Sequence, residues 1–164
     1  MVGSYVFRPD GYIICCHPYA EFVDRLSPAP PTLKDSLIAR NTKFIILDRT
    51  GLSLWQPKPD DLSFIKSHYL PSSYLKIYSL GQAFGCISGS CTRYNLDQQT
   101  VGPANAGKLE IIVPESYRVI TNPPGQNITL DSKSTGMTPV NLTAGWHNFS
   151  VDPMITAFTI QLAR

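Results

Sequence analysis

Three stretches decide the reading of this chain: Lys108-Leu-Glu-Ile-Ile-Val-Pro-Glu-Ser-Tyr-Arg-Val119, Gln126-Asn-Ile-Thr-Leu-Asp-Ser-Lys-Ser-Thr-Gly-Met-Thr-Pro-Val-Asn-Leu-Thr-Ala-Gly-Trp-His-Asn-Phe-Ser-Val151, and Ala157-Phe-Thr-Ile-Gln-Leu-Ala163. They are short alternating runs separated by turn residues, the pattern of antiparallel strands with one buried face. Phe149 and Val151 fall on one side, with Trp146, Asn148 and Ser150 on the other. Phe158, Ile160 and Leu162 repeat the alternation against Thr159 and Gln161. From Lys108 onward the pattern predicts an antiparallel unit of four or five strands, with Phe149, Val151, Phe158 and Ile160 in one core.

Upstream the periodicity changes. Tyr5 to Phe7 and Tyr12 to Cys16 read as short strands joined by the Pro9-Asp10-Gly11 turn. A helical spacing over His17 to Leu26 is stopped by Ser27-Pro-Ala-Pro-Pro31. Thr32 is a good N-cap for a second helix, with Asp35 in its first turn, Leu33, Leu37 and Ile38 inward and Asn41 as its terminator. Lys43-Phe-Ile-Ile-Leu-Asp48 is continuously apolar, as central strands of α/β sheets are. Asp60 opens a third helix with Leu62, Ile65 and Tyr69 on one face and Pro71 at its end. Tyr74 to Leu80 alternates and reads as a strand ending at Gly81, with irregular chain from Gly81 to Gly107. This order suggests a small α/β layer with right-handed crossovers. The expected class is therefore α+β: an α/β subdomain over residues 1–104, then an antiparallel β-sandwich-like unit over residues 105–164.

Composition narrows the function. A net charge of +2 without any block of like charges does not support a nucleic-acid surface. Only 16% of residues are charged, against a usual quarter, while 14 prolines and 11 glycines favour a loop-rich, strand-rich chain. The longest apolar runs, Tyr12 to Cys16 and Phe44 to Leu47, are too short to cross a bilayer. Met1 to Arg8 lacks the basic start and apolar core of a signal peptide, which leaves a cytosolic protein or a soluble piece cut from a larger chain, and the second is the expectation.

The segment from Ile128 to Val151 resembles the PEGA-type surface β-domain. In that pattern an Asp-bearing strand leads into a turn, then Gly-x-Thr-Pro, an apolar strand and a Gly-His pair. Asp131, Gly136, Thr138, Pro139 and Gly145 match, although Trp146 is inserted before His147 and a Pro-Glu-Gly-Ala run is missing. The resemblance implies a structural or recognition unit. The front half is similar, in order of elements, to the soluble segment of polytopic dolichyl-phosphate-mannose-type glycosyltransferases. The residues concerned are Phe44-Ile-Ile-Leu-Asp48, Phe64-Ile-Lys-Ser-His-Tyr69 and Leu75-Lys-Ile-Tyr-Ser-Leu-Gly81. That resemblance implies an extracytoplasmic location, the membrane portion of the same polypeptide as a partner, and a glycan or lipid-linked sugar as ligand. The family's catalytic acids have no counterpart in this chain.

Few residues suggest chemistry. Cys16 and His17 are adjacent and would face opposite sides of a strand, which does not make a nucleophile–base pair. Cys86 and Cys91 bracket Ile-Ser-Gly-Ser; outside the cytosol they would be a small disulfide loop, inside it two free thiols, and the disulfide is the expected state. His17, His68 and His147 fall in separate elements, so no catalytic residue, metal site or cofactor is expected. Trp55, Tyr69, Trp146 and His147 are the candidate ligand-binding residues, with aromatic stacking on a sugar set against packing at an interface. Asn127-Ile-Thr, Asn141-Leu-Thr and Asn148-Phe-Ser are glycosylation sequons, a triplet that also arises by chance on exposed strands. The expected function is a non-catalytic accessory domain of a membrane glycosyltransferase-like protein, positioning a lipid-linked donor or an acceptor. A stand-alone carbohydrate- or protein-binding β-module is the alternative, and a small Cys or His hydrolase ranks last.

Overall fold

The computed structural model describes residues 3–5, 13–15, 33–46, 59–72, 77–94, 100–103 and 107–163. The chain is organised around one long strand, β5 (Ile77–Ile87). Its first half pairs with β3 (Phe44–Ile46) and β4 (Tyr69–Pro71), both meeting it at Ser79. Its second half lies between β14 (Ala157–Leu162) and β6 (Ser90–Tyr94). With β7 (Thr100–Pro103), β9 (Glu115–Asn122) and β12 (Val140–Leu142), these form an eight-stranded sheet with the path β12-β9-β14-β5-β6-β7. A second sheet of β8 (Lys108–Ile111), β10 (Ile128–Leu130), β11 (Lys133–Thr135) and β13 (Gly145–Ser150) has the order β11-β10-β13-β8. Strands β1 (Gly3–Tyr5) and β2 (Ile13–Cys15) form a separate antiparallel pair.

Alternation in the last third does what the sequence asks of it. On β13, His147 and Phe149 are buried while Trp146, Asn148 and Ser150 are exposed. Phe149 packs between the sheets against Phe84 (ring centroids 5.2 Å) and Phe158 (5.1 Å), and those two rings stack at 4.7 Å. Leu109, Val119, Ile155 and Ile160 are fully enclosed around them. Burial of this apolar surface is the main favourable term holding the sandwich together.

The helices cover one end. Helix α1 (Leu33–Ala39) turns Leu37 inward and ends at Asn41, whose φ of 48° is the left-handed conformation of a helix terminator. The Asn41 and Thr42 N–H groups then donate to the Ile38 and Leu37 carbonyls, both at 3.0 Å. Helix α2 (Pro59–His68) starts on proline with Asp60 and Asp61 in its first turn, where the exposed N–H groups favour negative charge. Asp61 also accepts from the Lys34 N–H at 3.2 Å, so it satisfies a free donor at the start of α1. The Lys43 ammonium pairs with Glu115, tying the residue before β3 to β9.

Several expectations change. The described strands all pair antiparallel, so the front part is not a parallel layer with right-handed crossovers. Seven strands, not four or five, lie beyond residue 107. The inward face of α2 is Asp61, Phe64, Ile65 and His68; Leu62 is half-buried and Tyr69 belongs to β4, one residue beyond the helix. The strand expected to stop at Gly81 runs on to Ile87, and the stretch read as irregular contains the β5–β6 hairpin. Gly81 is there for room: a Cβ would lie 2.7 Å from both the Ile160 carbonyl oxygen and Leu70 Cδ1. The hairpin turns at Ser88 and Gly89, with φ of 49° and 80°, the two-residue geometry that suits twisted strands. Strands from both sides of residue 104 share the large sheet, because β14 hydrogen-bonds to β5. The Pro9-Asp10-Gly11 turn, the His17 to Leu26 helix, Cys16 and Trp55 lie outside the described residues.

Candidate functional site

The outer face of the large sheet carries a cleft of about 690 Å³. Its floor comes from the outward positions of β5 and β14, namely Ser79, Ala83, Ala157, Thr159 and Gln161. The floor is low because Ser79, Ala83, Ala157 and Thr159 are small and because Gly81 and Gly85 sit among them. Leu70 and Tyr94 rise as walls over the two glycines: a Cβ on Gly85 would lie 2.2 Å from the Tyr94 hydroxyl and 2.4 Å from its ring. Arg118 on β9 supplies the charge lining this cleft, and its Nε has no hydrogen-bond partner among the described residues. A flat ring and an arginine beside a floor that mixes hydroxyls and an amide with alanines make a recognition surface. The described lining contains no carboxylate, histidine or thiol to act as base or nucleophile.

Beneath the opposite face lies a polar cluster around His68. Its Nδ1 donates toward the Phe64 carbonyl oxygen at 3.0 Å, with Ser67 Oγ 2.9 Å away, and its Nε2 lies 3.2 Å from a Glu110 carboxylate oxygen. The hydrogen bond from His68 is the main reason the Glu110 carboxyl titrates below the usual carboxylate range. Gln82 donates its amide to the Glu110 backbone carbonyl, joining the inner face of β5 to the edge of β8. Arg93 lies over the Phe84 ring, 5.8 Å from its centroid, and burial pulls its guanidinium below the ordinary value while Glu110 opposes that shift. The cavity touching His68, Gln82 and Glu110 is about 10 Å³, too small for a substrate. This cluster ties α2 and β8 to the large sheet.

His147 is held in a second clasp. Its Nδ1 lies 2.5 Å from Asp131 Oδ2, and its Nε2 donates to the Thr143 carbonyl oxygen at 2.8 Å. The other Asp131 oxygen accepts the Asn148 N–H at 2.9 Å. Asp131 and Ser132 have φ of 46° and 68°, a tight turn between β10 and β11 that aims the carboxylate back at β13. The hydrogen bond from His147 holds the Asp131 carboxyl below its ordinary range.

The expected ligand residues are scattered by this arrangement. Tyr69 is in the core, with its hydroxyl donating to the Thr42 carbonyl oxygen at 3.0 Å, and burial pushes its ionisation well upward. His147 has both ring nitrogens engaged, whereas Trp146 is 60% exposed on the outer face of the smaller sheet. Cys86 and Cys91 face each other across the hairpin with Cα atoms 4.0 Å apart and are joined by a disulfide. No group of three His, Cys, Asp or Glu side chains is placed to hold a metal ion among the described residues. Sequence reasoning passed over the cleft, since Arg118, Tyr94 and Ala83 stand out only once β9, β6 and β5 are side by side.

The sequence profile of the PEGA domain matches residues 115–152, and this part of the chain is a PEGA-like β unit. The match begins earlier than the resemblance read from Ile128, taking in β9 and the cis Asn122–Pro123 bond after it. Searches among curated proteins and among solved structures give no match.

Proposed function

We propose that this chain is a non-catalytic, extracytoplasmic recognition module whose outer-face cleft holds a saccharide, either a polymer acceptor or the head of a lipid-linked donor. In the fuller form of the reading it serves a membrane-bound glycosyltransferase-like protein of the dolichyl-phosphate-mannose type as an accessory domain. The observation that carries the reading is the cleft, where Tyr94 and Arg118 border a floor of Ser79, Ala83 and Thr159 without a general acid, base or nucleophile among the described lining. Tyrosine offers a stacking face to a sugar ring, and arginine offers paired donors to a carboxylate or phosphate. The Cys86–Cys91 disulfide supports an oxidising compartment. No helix among the described residues is long and apolar enough to cross a membrane.

The PEGA-like unit also favours a second reading, a carbohydrate- or protein-binding β-module acting independently of any transferase. One experiment serves both. Titration calorimetry of purified protein against a panel of neutral and acidic oligosaccharides and polyprenyl-phosphate sugars should detect binding that Tyr94→Ala and Arg118→Ala each weaken at least several-fold. Turnover of generic esters, glycosides and phosphates should stay at background. Binding unaffected by both substitutions would remove the cleft from the reading, and turnover abolished by a single side-chain change would replace it with an enzyme. Preference for polyprenyl-phosphate sugars over free oligosaccharides would separate the transferase accessory from the independent module.

A further inference from the structure

Three sequons occur in the PEGA-like unit; Asn127, Asn141 and Asn148 are all exposed, and the surroundings of Asn148 set it apart. Asn148 and Ser150 stand on the same exposed face of β13, because alternate strand residues point the same way. The Asn148 backbone is fixed on both sides: its N–H donates to Asp131 Oδ1 and its carbonyl accepts the Asp131 N–H, both at 2.9 Å. Asn148 is exposed, so its side-chain amide faces solvent from a rigid base. Trp146 precedes it by two residues on that same face and is 60% exposed, an unusual position for so large an apolar ring. Asn127 contrasts with this, since its Oδ1 lies against Gly136 where even a Cβ would come within 2.2 Å.

We propose that Asn148 carries an N-linked glycan whose first sugar lies on the Trp146 ring. The proposal rests on the extracytoplasmic reading given above, and the disulfide supports it independently of the sequon. In the modification, Asn148 Nδ2 attacks C1 of the first sugar of a lipid-linked oligosaccharide. The N–C1 bond forms and the bond from C1 to the lipid phosphate oxygen breaks. The phosphate leaves with the electron pair, and the amide releases one proton. The host's transferase performs the step, and this chain supplies the acceptor amide and the Ser150 hydroxyl that marks it. Residues two apart on a strand are separated by about 7 Å, within reach of one sugar ring linked to the amide. The apolar C–H face of that sugar would cover the exposed indole and remove both from water.

The test uses the protein isolated from the organism that makes it. Chymotryptic peptides analysed by mass spectrometry should carry sugar mass on Asn148 and leave Asn127 unmodified. Ser150→Ala should lose the Asn148 modification; if it is kept, the sequon mechanism fails. Enzymatic removal of the glycan should lower the melting temperature of the natural protein but not of Trp146→Ala, and an equal drop in both would overturn the stacking. Unmodified Asn148 alongside an intact Cys86–Cys91 bond would overturn the glycan alone. Unmodified Asn148 with both thiols free would overturn the extracytoplasmic reading as well.

Discussion

Phe149→Ala tests the register of the sandwich, because Phe149 is the ring that β13 sends between the two sheets. It touches Phe84 and Phe158 at centroid distances of 5.2 and 5.1 Å and is 8% exposed. Truncating a buried phenylalanine costs about 3 to 5 kcal/mol through lost transfer energy and the cavity left behind. Each aromatic pair adds about 0.5 to 1.5 kcal/mol beyond buried area, which keeps this site off the lower end of that range. A cost of about 4 kcal/mol is a large share of the roughly 5 to 15 kcal/mol that holds an ordinary domain folded. With a urea m-value of about 2 kcal/mol/M, the unfolding midpoint should fall by about 2 M. Trp146→Ala, three residues earlier and on the solvent face, should move unglycosylated protein by no more than about 0.5 kcal/mol. Urea titrations followed by circular dichroism measure both. If Phe149→Ala cost less than about 1 kcal/mol, or Trp146→Ala cost as much, β13 would be facing the other way.

Gly85→Val should cost about 1 to 3 kcal/mol by forcing Tyr94 off the sheet; in a double-mutant cycle with Tyr94→Ala the two effects should be strongly non-additive, and additivity within about 0.5 kcal/mol would show that the ring does not lie there. Asp131 and Glu110 both have carboxyls held below their ordinary range in the fold. Their stabilising contribution is therefore complete above the unfolded values, about 4, and is lost as pH falls through the lower folded values. Unfolding midpoints measured between about pH 6 and pH 2 should show an acid-side loss that is smaller in Asp131→Asn, with the Glu110 share remaining; an unchanged acid limb would contradict the clasp. Replacing Cys86 and Cys91 by serine should cost about 2 kcal/mol for so short a loop, read as a lower thermal midpoint than that of the oxidised protein.

The parts of the fold legible in the sequence are those set by local chemistry. Trp146 to Ser150 and Phe158 to Gln161 alternate because one face of each strand is buried, and period two survives in the letters. Asn41 ends α1 and Pro59-Asp60 opens α2 for equally local reasons. Gly81 misled because a glycine reads as a break, whereas here Gly81 and Gly85 make room for Leu70, Tyr94 and a carbonyl of β14. Those neighbours arrive from other strands, and no window around residue 81 contains all of them. The apolar run at Phe44 does not encode strand direction, so an antiparallel partner looks the same as a parallel one. His68 offered no local sign of its role either, since Glu110 is 42 residues away and meets it only when α2 packs on β8. His147 was visible as half of a Gly-His pair, but its Asp131 partner depends on a left-handed turn.

The place of β14 constrains how a ribosome can deliver this protein. Strand β14 lies between β5 and β9, yet it is made after both. Until residues 157–162 have emerged, β5 and β9 each present an open row of backbone donors and acceptors, with Phe84 and Val119 lacking their neighbours. Completing the large sheet therefore waits for residues 157–162, and it joins strands far apart in sequence. A nascent chain stalled short of residue 157 offers a strand-shaped gap that another copy's Ala157–Leu162 segment could fill, which makes exchange of that strand between molecules the natural misassembly of this fold.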